Sequence, residues 1–186
     1  MNTDELIARI KSSDENVRTA AWQAAGKVGA EAIQPLAALT GAQELEVARA
    51  AQRAIWQIVR HAGRPGAEAE KRAAVEKLIL LLANDQPAAL RRDVLWMLSE
   101  IAGDEAVPPM AALLDNAELR EDARMALQRI PGQRSIEALR AGLDRAPADF
   151  KFHIAQSLRA RGIDVPGLPS QKLKPTRGTS VNPAGR

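Results

Sequence analysis

The chain has 186 residues, a net charge of +3 and no cysteine, and its length allows one domain or one short repeat array. The lack of cysteine excludes disulfides, thiolate nucleophiles and cysteine-ligated zinc, and it suits a reducing compartment. Residues 164–186 hold four basic residues and one acidic residue, which account for the whole net charge. Residues 1–163 are therefore balanced and show no basic footprint for nucleic acid. Aromatic residues make up only 3% and alanine is abundant, which predicts an all-α chain.

At the N-terminus, residues 3–11 predict a lone helix, capped by Thr3, that covers the element after it. This segment contains acidic residues and lacks the apolar centre of a secretory signal. The longest apolar run of the chain, Leu78 to Ala83, is too short to cross a bilayer. We therefore expect a cytoplasmic protein without membrane contact.

Five segments of the chain share one pattern and begin at Val17, Val47, Leu90, Leu119 and Phe150. In each segment, apolar or small residues occupy positions 1, 5, 8, 9 and 12, which places them on one face of a helix. Three of the four spacings are 29 to 31 residues, and the fourth is 43 because of an insertion, GRPGAEAEKR, at 63–72. This period predicts five repeats, each with its own first helix.

A second amphipathic stretch follows each of the first four segments and begins at Ala32, Ala74, Ala106 and Ile136. A glycine precedes each second stretch, where a left-handed helix cap is expected, at Gly29, Gly63, Gly103 and Gly132. Aspartates before the first helices are candidate N-caps, at Asp14, Asp85, Asp115 and Asp149. Each unit is thus predicted as first helix, glycine turn, second helix and short polar turn.

Residues 17–39, VRTAAWQAAGKVGAEAIQPLAAL, resemble a HEAT repeat of the short bacterial kind found in phycobilisome-lyase-like repeat proteins. The family pattern is an Asp-rich turn, V-R-x-x-A-A-x-A-L-G-x-I-G, and a second helix with A-[IV]-x-P-L. The resemblance covers about 14–162, with Ala48 in place of the arginine and Trp56 in place of the glycine. It implies a right-handed α-solenoid of the armadillo type, built from about five HEAT-type hairpins.

The boundary of the solenoid is expected after residue 163. Phe150 opens a last unit that has no clear second helix. Residues 164–186 contain four prolines and almost no apolar periodicity, which predicts a flexible, disordered basic tail. We therefore divide the chain into a solenoid over 1–163 and a tail over 164–186.

Basic residues recur at position 2 of the first helices, at Arg18, Arg91, Arg120 and Lys151. They form either a ladder that binds carboxylates or phosphates of a ligand, or a ladder that pairs with turn aspartates within the chain. The expected internal partners are Asp14, Asp85 and Asp115. The resemblance and the balanced charge favour the internal ladder.

The three tryptophans, Trp22, Trp56 and Trp96, lie mostly outside the apolar positions of the repeat. An exposed tryptophan is a good anchor for a partner, whereas a half-buried one covers the seam between repeats. Trp22 is at position 6 of its repeat and Trp56 is at position 10, and these two positions are one turn apart on the same helical face. Trp22 and Trp56 are therefore the better binding candidates.

The resemblance also implies that rotations between repeats curve the array, and we expect the second helices to line its concave surface. Their outward positions are Gln34, Glu76, Pro108 and Glu137, with Ala38, Leu80, Ala112 and Ala141 one turn later. This strip is small, apolar and mildly acidic, so it suits a protein or peptide better than nucleic acid. The candidate partner-binding residues are Gln34, Glu76, Leu80, Glu137, Trp22 and Trp56.

Catalytic and metal-binding patterns are missing from the sequence. His61 and His153 lack companions at ligand spacing, and neither a nucleophile motif nor a phosphate loop occurs. We therefore predict a non-enzymatic scaffold or adaptor that binds a protein or peptide and needs neither metal nor cofactor. Two alternatives stay open. One is a HEAT-like DNA-binding protein of the alkylpurine-glycosylase type, with Trp96, Asp93 or Asp122 facing a lesion, and the other is a bilin-lyase-like subunit, implied by the resemblance alone.

Overall fold

A computed structural model describes residues 1–170, and all regular structure in that range is helical. The helices are α1 (Thr3–Ile10), α2 (Glu15–Ala24), α3 (Ile33–Leu39), α4 (Leu45–Ala62), α5 (Glu68–Leu80), α6 (Ala88–Ile101), α7 (Val107–Ala112), α8 (Arg120–Arg129), α9 (Gln133–Arg145) and α10 (Ala148–Ala160). Short 3₁₀ turns extend α2 and α7 at their C-terminal ends and precede α3 and α7. The predicted all-α class is confirmed.

The helices form two layers. The five predicted first helices are α2, α4, α6, α8 and α10, and successive members of this layer pack against each other. The second helices are α3, α5, α7 and α9, and each packs against the first helix that follows it. Contacts therefore run mainly between neighbouring units, which is the arrangement of an α-solenoid.

A continuous apolar core lies between the two layers. It is built from alanine together with leucine, isoleucine, valine and methionine, and α4 contributes eight of its buried residues. The small alanines allow the helices to approach closely, while the branched side chains fill the space between them. Helix α1 packs against α2 through Leu6 and Ile10, both fully buried, so the prediction that residues 3–11 cover the first repeat is confirmed.

The glycine turns follow two different physical rules. Gly29 and Gly132 have φ of +94° and +96°, so the predicted left-handed conformation is confirmed there. At Gly63 and Gly103 that prediction is wrong, since φ is −77° and −118°. Close packing explains the first of these two, because a Cβ on Gly63 would lie only 2.7 Å from Cγ2 of Ile101 in α6.

The helix caps agree only partly with the prediction. Asp14 caps α2, and its carboxylate accepts the backbone NH of Asn16 at 2.8 Å. The prediction for α1 is wrong by one residue, since Asn2 rather than Thr3 accepts the NH of Glu5 at 2.9 Å. Helices α6, α8 and α10 begin after Pro87, Leu119 and Pro147 instead of the predicted aspartates. In α6 and α10 the proline, which has no NH to donate, takes the cap position.

Residues 163–170 form no helix. Ile163 and Val165 pack against the core, so the chain stays attached to the solenoid just beyond the predicted boundary. The rest of the predicted tail, residues 171–186, lies outside the described residues. Within residues 1–170, no helix combines the length and apolarity that crossing a membrane requires.

Candidate functional site

Polar side chains link successive first helices along one face of the stack. Most of them are at positions 3 and 4 of the repeat. The contacts are Gln52 Nε2 to Asp93 Oδ2 (2.5 Å, α4 to α6), Arg92 Nε to Asp122 Oδ2 (3.4 Å, α6 to α8) and His153 Nδ1 to Glu121 Oε2 (3.1 Å, α10 to α8). Each contact joins one repeat to the next. The face of the first-helix layer is therefore tied together by side chains from unit two to unit five.

We call these contacts between first helices the polar ladder, and two of its carboxylates have shifted pKa values. Burial raises the pKa of Asp93, and the hydrogen bond from Gln52 offsets only part of that effect. Burial also acts to raise the pKa of Glu121, but Arg124 and His153 outweigh it and the pKa is lowered. Glu121 is thus held as a carboxylate, whereas ionised Asp93 is disfavoured by its surroundings.

The arginines at position 2 are engaged within the chain, as the internal-ladder interpretation predicts, but with other partners. Arg18 donates to the carbonyl oxygens of Ser12 and Ser13, at 2.7 and 2.8 Å. Arg91 donates to Asn84 Oδ1 at 3.0 Å, and Arg120 pairs with Asp149 of the next unit at 3.3 Å. Carbonyl and amide oxygens thus replace the predicted Asp14 and Asp85 as partners of the first two arginines. Arg120 does pair with an aspartate, but the partner is Asp149 instead of Asp115.

The tryptophans differ in exposure. Trp22 and Trp56 are half-buried and pack against the core, whereas Trp96 is 42% exposed. An arginine lies over each ring, with centroid distances of 5.6 Å for Arg53 on Trp22, 5.3 Å for Arg60 on Trp56 and 5.0 Å for Arg129 on Trp96. Two of these pairs join adjacent repeats, so the rings of Trp22 and Trp96 contribute to the seams.

An exposed row runs along the first-helix layer at position 7 of the repeat. Its members are Gln23, Arg53, Trp96, Met125 and Gln156, all exposed. Trp96 and Met125 follow the ladder residues Asp93 and Asp122 by three residues, so they lie one turn along on the same side of their helices. We call Arg53, Trp96, Met125 and Arg129 the Trp96 face. Of these four residues the sequence prediction names only Trp96, although position 7 of the repeat also identifies Arg53 and Met125.

The predicted strip on the second helices is also at the surface. Gln34, Glu76, Leu80 and Glu137 are all exposed, and Leu80 is exposed by 57%, a large value for an apolar side chain. Gln34 lies on α3 and Glu76 and Leu80 on α5, and these two helices pack together. Glu137 lies farther along the stack, on α9. We call these four residues the second-helix strip.

The described residues contain no cluster of three histidine or acidic side chains that could hold a metal ion. The nearest approaches are pairs, His61 with Glu70 at 3.7 Å and His153 with Glu121 at 3.1 Å. The two histidines therefore serve as partners of single glutamates in this part of the chain.

Comparison with known proteins gives one family match. Residues 75–159, which include the C-terminal part of α5, all of α6 to α9 and most of α10, match the family described as HEAT repeats. No curated protein matches the chain. Among solved structures, the chain is similar to an engineered protein of the Northeast Structural Genomics Consortium, with 20% identity, a TM-score of 0.44, and coverage of 85% of this chain and 78% of that one. A likeness this distant carries no argument about function.

Proposed function

We propose that this chain is a non-enzymatic scaffold that binds a protein or peptide partner on its helical surface. Residues 75–159, which match the family of HEAT repeats, support this proposal. HEAT arrays generally mediate protein interactions, and the stacked helices offer an extended surface for them. The lack of cysteine suits a reducing compartment, so a cytoplasmic location is part of the proposal.

The observation that carries this proposal is the Trp96 face. Tryptophan, methionine and arginine are among the residue types enriched in protein interfaces, and tryptophan and arginine are frequent binding hot spots. Here Trp96 and Met125 are 42% and 39% exposed on neighbouring helices, and Arg129 lies over the Trp96 ring. The polar ladder, one turn away on the same side of these helices, links α4, α6 and α8, which reduces the ordering cost of binding.

The ladder also favours a protein partner over DNA. Asp93 and Asp122 lie one turn from Trp96 and Met125, so the face combines cations with carboxylates. Asp122 already pairs with Arg92, and Asp93 accepts a hydrogen bond from Gln52. A DNA-binding face needs an excess of cations along the phosphate backbone. The bilin-lyase alternative still rests on the repeat resemblance alone.

The second-helix strip is a second proposed binding surface. Leu80 supplies an exposed apolar group, and Glu76 and Glu137 supply carboxylates for a basic partner. The half-buried Trp22 and Trp56 are proposed as additional contacts, Trp22 next to Arg53 of the Trp96 face and Trp56 next to Arg60. The two surfaces lie on different helices, so separate variants can distinguish them.

The experiment is an affinity capture of partners by the tagged full-length chain, quantified by mass spectrometry and followed by titration of the purified partner. Trp96→Ala/Met125→Ala tests the Trp96 face, and Glu76→Lys/Glu137→Lys tests the second-helix strip. Glu15→Ala, exposed at the start of α2, is the control. We expect the first pair to weaken binding about tenfold or more, as loss of an interface anchor does. Partners that bind both double variants as well as wild type would refute both surfaces.

A further inference from the structure

An open cleft of about 670 Å³ lies between the C-terminal ends of α2 and α4. One wall consists of the last two turns of α2 and the 3₁₀ turn after it, and the other of the last two turns of α4 and Arg64 just beyond its end. The walls meet at Gly26, where a Cβ would lie only 2.9 Å from the Cβ of His61. The alanines of α2 and the amides of Gln23 and Gln57 complete the lining.

All ionisable residues that line this cleft are basic, namely Lys27, Arg60, His61 and Arg64. The solenoid as a whole carries equal numbers of basic and acidic residues, so this is a local concentration of one sign. A surface cavity lined by one sign of charge attracts ligands of the opposite sign.

Two of these cations keep their charge available. Glu70, outside the lining, forms a bidentate pair with Arg64, with both N···O distances at 2.6 Å, and its carboxylate lies 3.7 Å from Nε2 of His61. Glu70 therefore offsets the positive charge at that end of the cleft. Within residues 1–170, neither Lys27 nor Arg60 pairs with a carboxylate. The Arg60 guanidinium lies over the Trp56 ring at 5.3 Å, which orients it without using up its hydrogen-bond donors.

The lining matches a peptide better than a phosphate chain. The side-chain amides of Gln23 and Gln57 each offer a donor and an acceptor, as a peptide backbone requires. Ala20 and Ala24 supply an apolar floor for the methylene groups of glutamate. The volume lies within the range of about 300–1,000 Å³ typical of ligand clefts. Nucleic acid would need a row of cations that continues along the stack. After Arg53, however, the position-7 row continues with Trp96, Met125 and Gln156, which are uncharged.

We infer that the cleft between α2 and α4 binds an acidic segment of a protein partner, with its carboxylates on Lys27 and Arg60. Gln23 belongs both to this cleft and to the exposed position-7 row, so the cleft continues the surface of the Trp96 face. The inference rests on the proposed function, since it assigns a chemistry to part of the same partner. It also gives the Trp56 ring a role, which is to hold Arg60 in place.

Fluorescence anisotropy of a labelled hexaglutamate peptide, titrated with the full-length chain, tests this inference. Hexaglutamine is the uncharged control, and oligo-dT and inorganic polyphosphate are the competing anions. We expect hexaglutamate to bind in a salt-dependent manner and to bind more tightly than either competitor. Absent hexaglutamate binding, or tighter binding of either competitor, would overturn the assignment.

Two matched variants locate the binding. Lys27→Gln/Arg60→Gln removes two charges from the cleft, and Arg134→Gln/Arg140→Gln removes two exposed charges elsewhere. Loss of charge-assisted hydrogen bonds should weaken hexaglutamate binding by about tenfold or more in the first variant and by less than about twofold in the second. Equal losses in both variants would show that binding is non-specific and would overturn the proposed cleft.

The outcome is separable from that of the proposed function. Variants of Trp96 and Met125 test partner binding without changing the cleft, and the hexaglutamate assay tests the cleft without the partner. Failure with hexaglutamate, together with loss of the partner in Trp96→Ala, overturns the cleft alone. Circular dichroism of both glutamine variants confirms that each is folded before affinities are compared.

Discussion

Replacing Arg124 by methionine should loosen the last repeat. Arg124 is only 7% exposed and donates to Glu121 through Nε at 3.0 Å and Nη2 at 2.5 Å. Its Nη1 also donates to Ser157 of α10, while Glu121 contacts His153 of the same helix. The Arg124–Glu121 pair in α8 is therefore a principal polar attachment of α10.

The expected loss follows from burial. Removing one partner of a buried ion pair costs about 3–5 kcal/mol, because it leaves the other charge unpaired. Glu121 is 44% exposed and keeps its contact with His153, so water screens part of that cost. We therefore expect Arg124→Met to lower the free energy of unfolding by about 2 kcal/mol. Methionine keeps the apolar stem, so the loss reports on the guanidinium.

Urea denaturation followed by circular dichroism measures this loss. Arg49→Met is the matched control, since Arg49 pairs with Glu46 at the same spacing of three residues but at the surface. An exposed pair of this kind is worth less than about 0.5 kcal/mol. Equal losses in the two variants would refute the argument that burial and the contacts with α10 give the Arg124 pair its strength.

The same pair predicts an acid-sensitive stability. The pKa of Glu121 is lowered in the folded chain, so its contribution is present above the ordinary glutamate pKa and is lost as pH falls through the lowered one. Glu121→Gln should therefore be less stable than wild type at neutral pH, and the difference should shrink in acid. A difference that stays constant with pH would contradict the assignment.

Three further predictions concern single positions. Asp93→Asn should be at least as stable as wild type at neutral pH, because burial disfavours the carboxylate and Gln52 can donate to the amide oxygen. A destabilised variant would contradict this. Gly132→Ala should lower the free energy of unfolding by about 1–2 kcal/mol, because alanine is strained at a φ of +96°. Gly41→Ala should have little effect, because a Cβ at that position meets open space; equal thermal unfolding temperatures for the two variants would refute this prediction. Leu6→Ala should lower the free energy of unfolding, measured in urea, by about 3 kcal/mol, since this side chain of α1 is fully buried against the solenoid; a loss below about 1 kcal/mol would disprove that anchoring role.

The repeat register could be predicted from the sequence because it depends on local periodicity. The five first helices begin within about two residues of the predicted starts, since an apolar face at helical spacing forms only in one register. Gly63 shows where local reasoning ends. Glycine is needed at position 63 because Ile101, in another unit, occupies the space that a side chain would need. Such a contact depends on how the helices dock.

The candidate surfaces were predictable only in part. Position 7 of the repeat points outward in all five units, so the exposure of Trp96 follows from the alignment. Trp22, at position 6, is half-buried because Arg53 of the next helix lies over it, and that depends on the spacing of the two helices. The cleft at Gly26 depends on the close approach of α2 to α4 and has no sequence signal of its own.

Site-specific photocrosslinking tests most directly the central claim, which is that the Trp96 face is the principal surface for the protein partner. A benzophenone amino acid replaces Met125 on the Trp96 face in one chain and Leu80 on the second-helix strip in another, and both chains are irradiated in the native cell. Both side chains are exposed, so their reactivity toward a bound protein is comparable. The account predicts a discrete crosslinked protein from position 125 that is absent after Trp96→Ala. Crosslinking from position 80 alone, or from neither position, would contradict it.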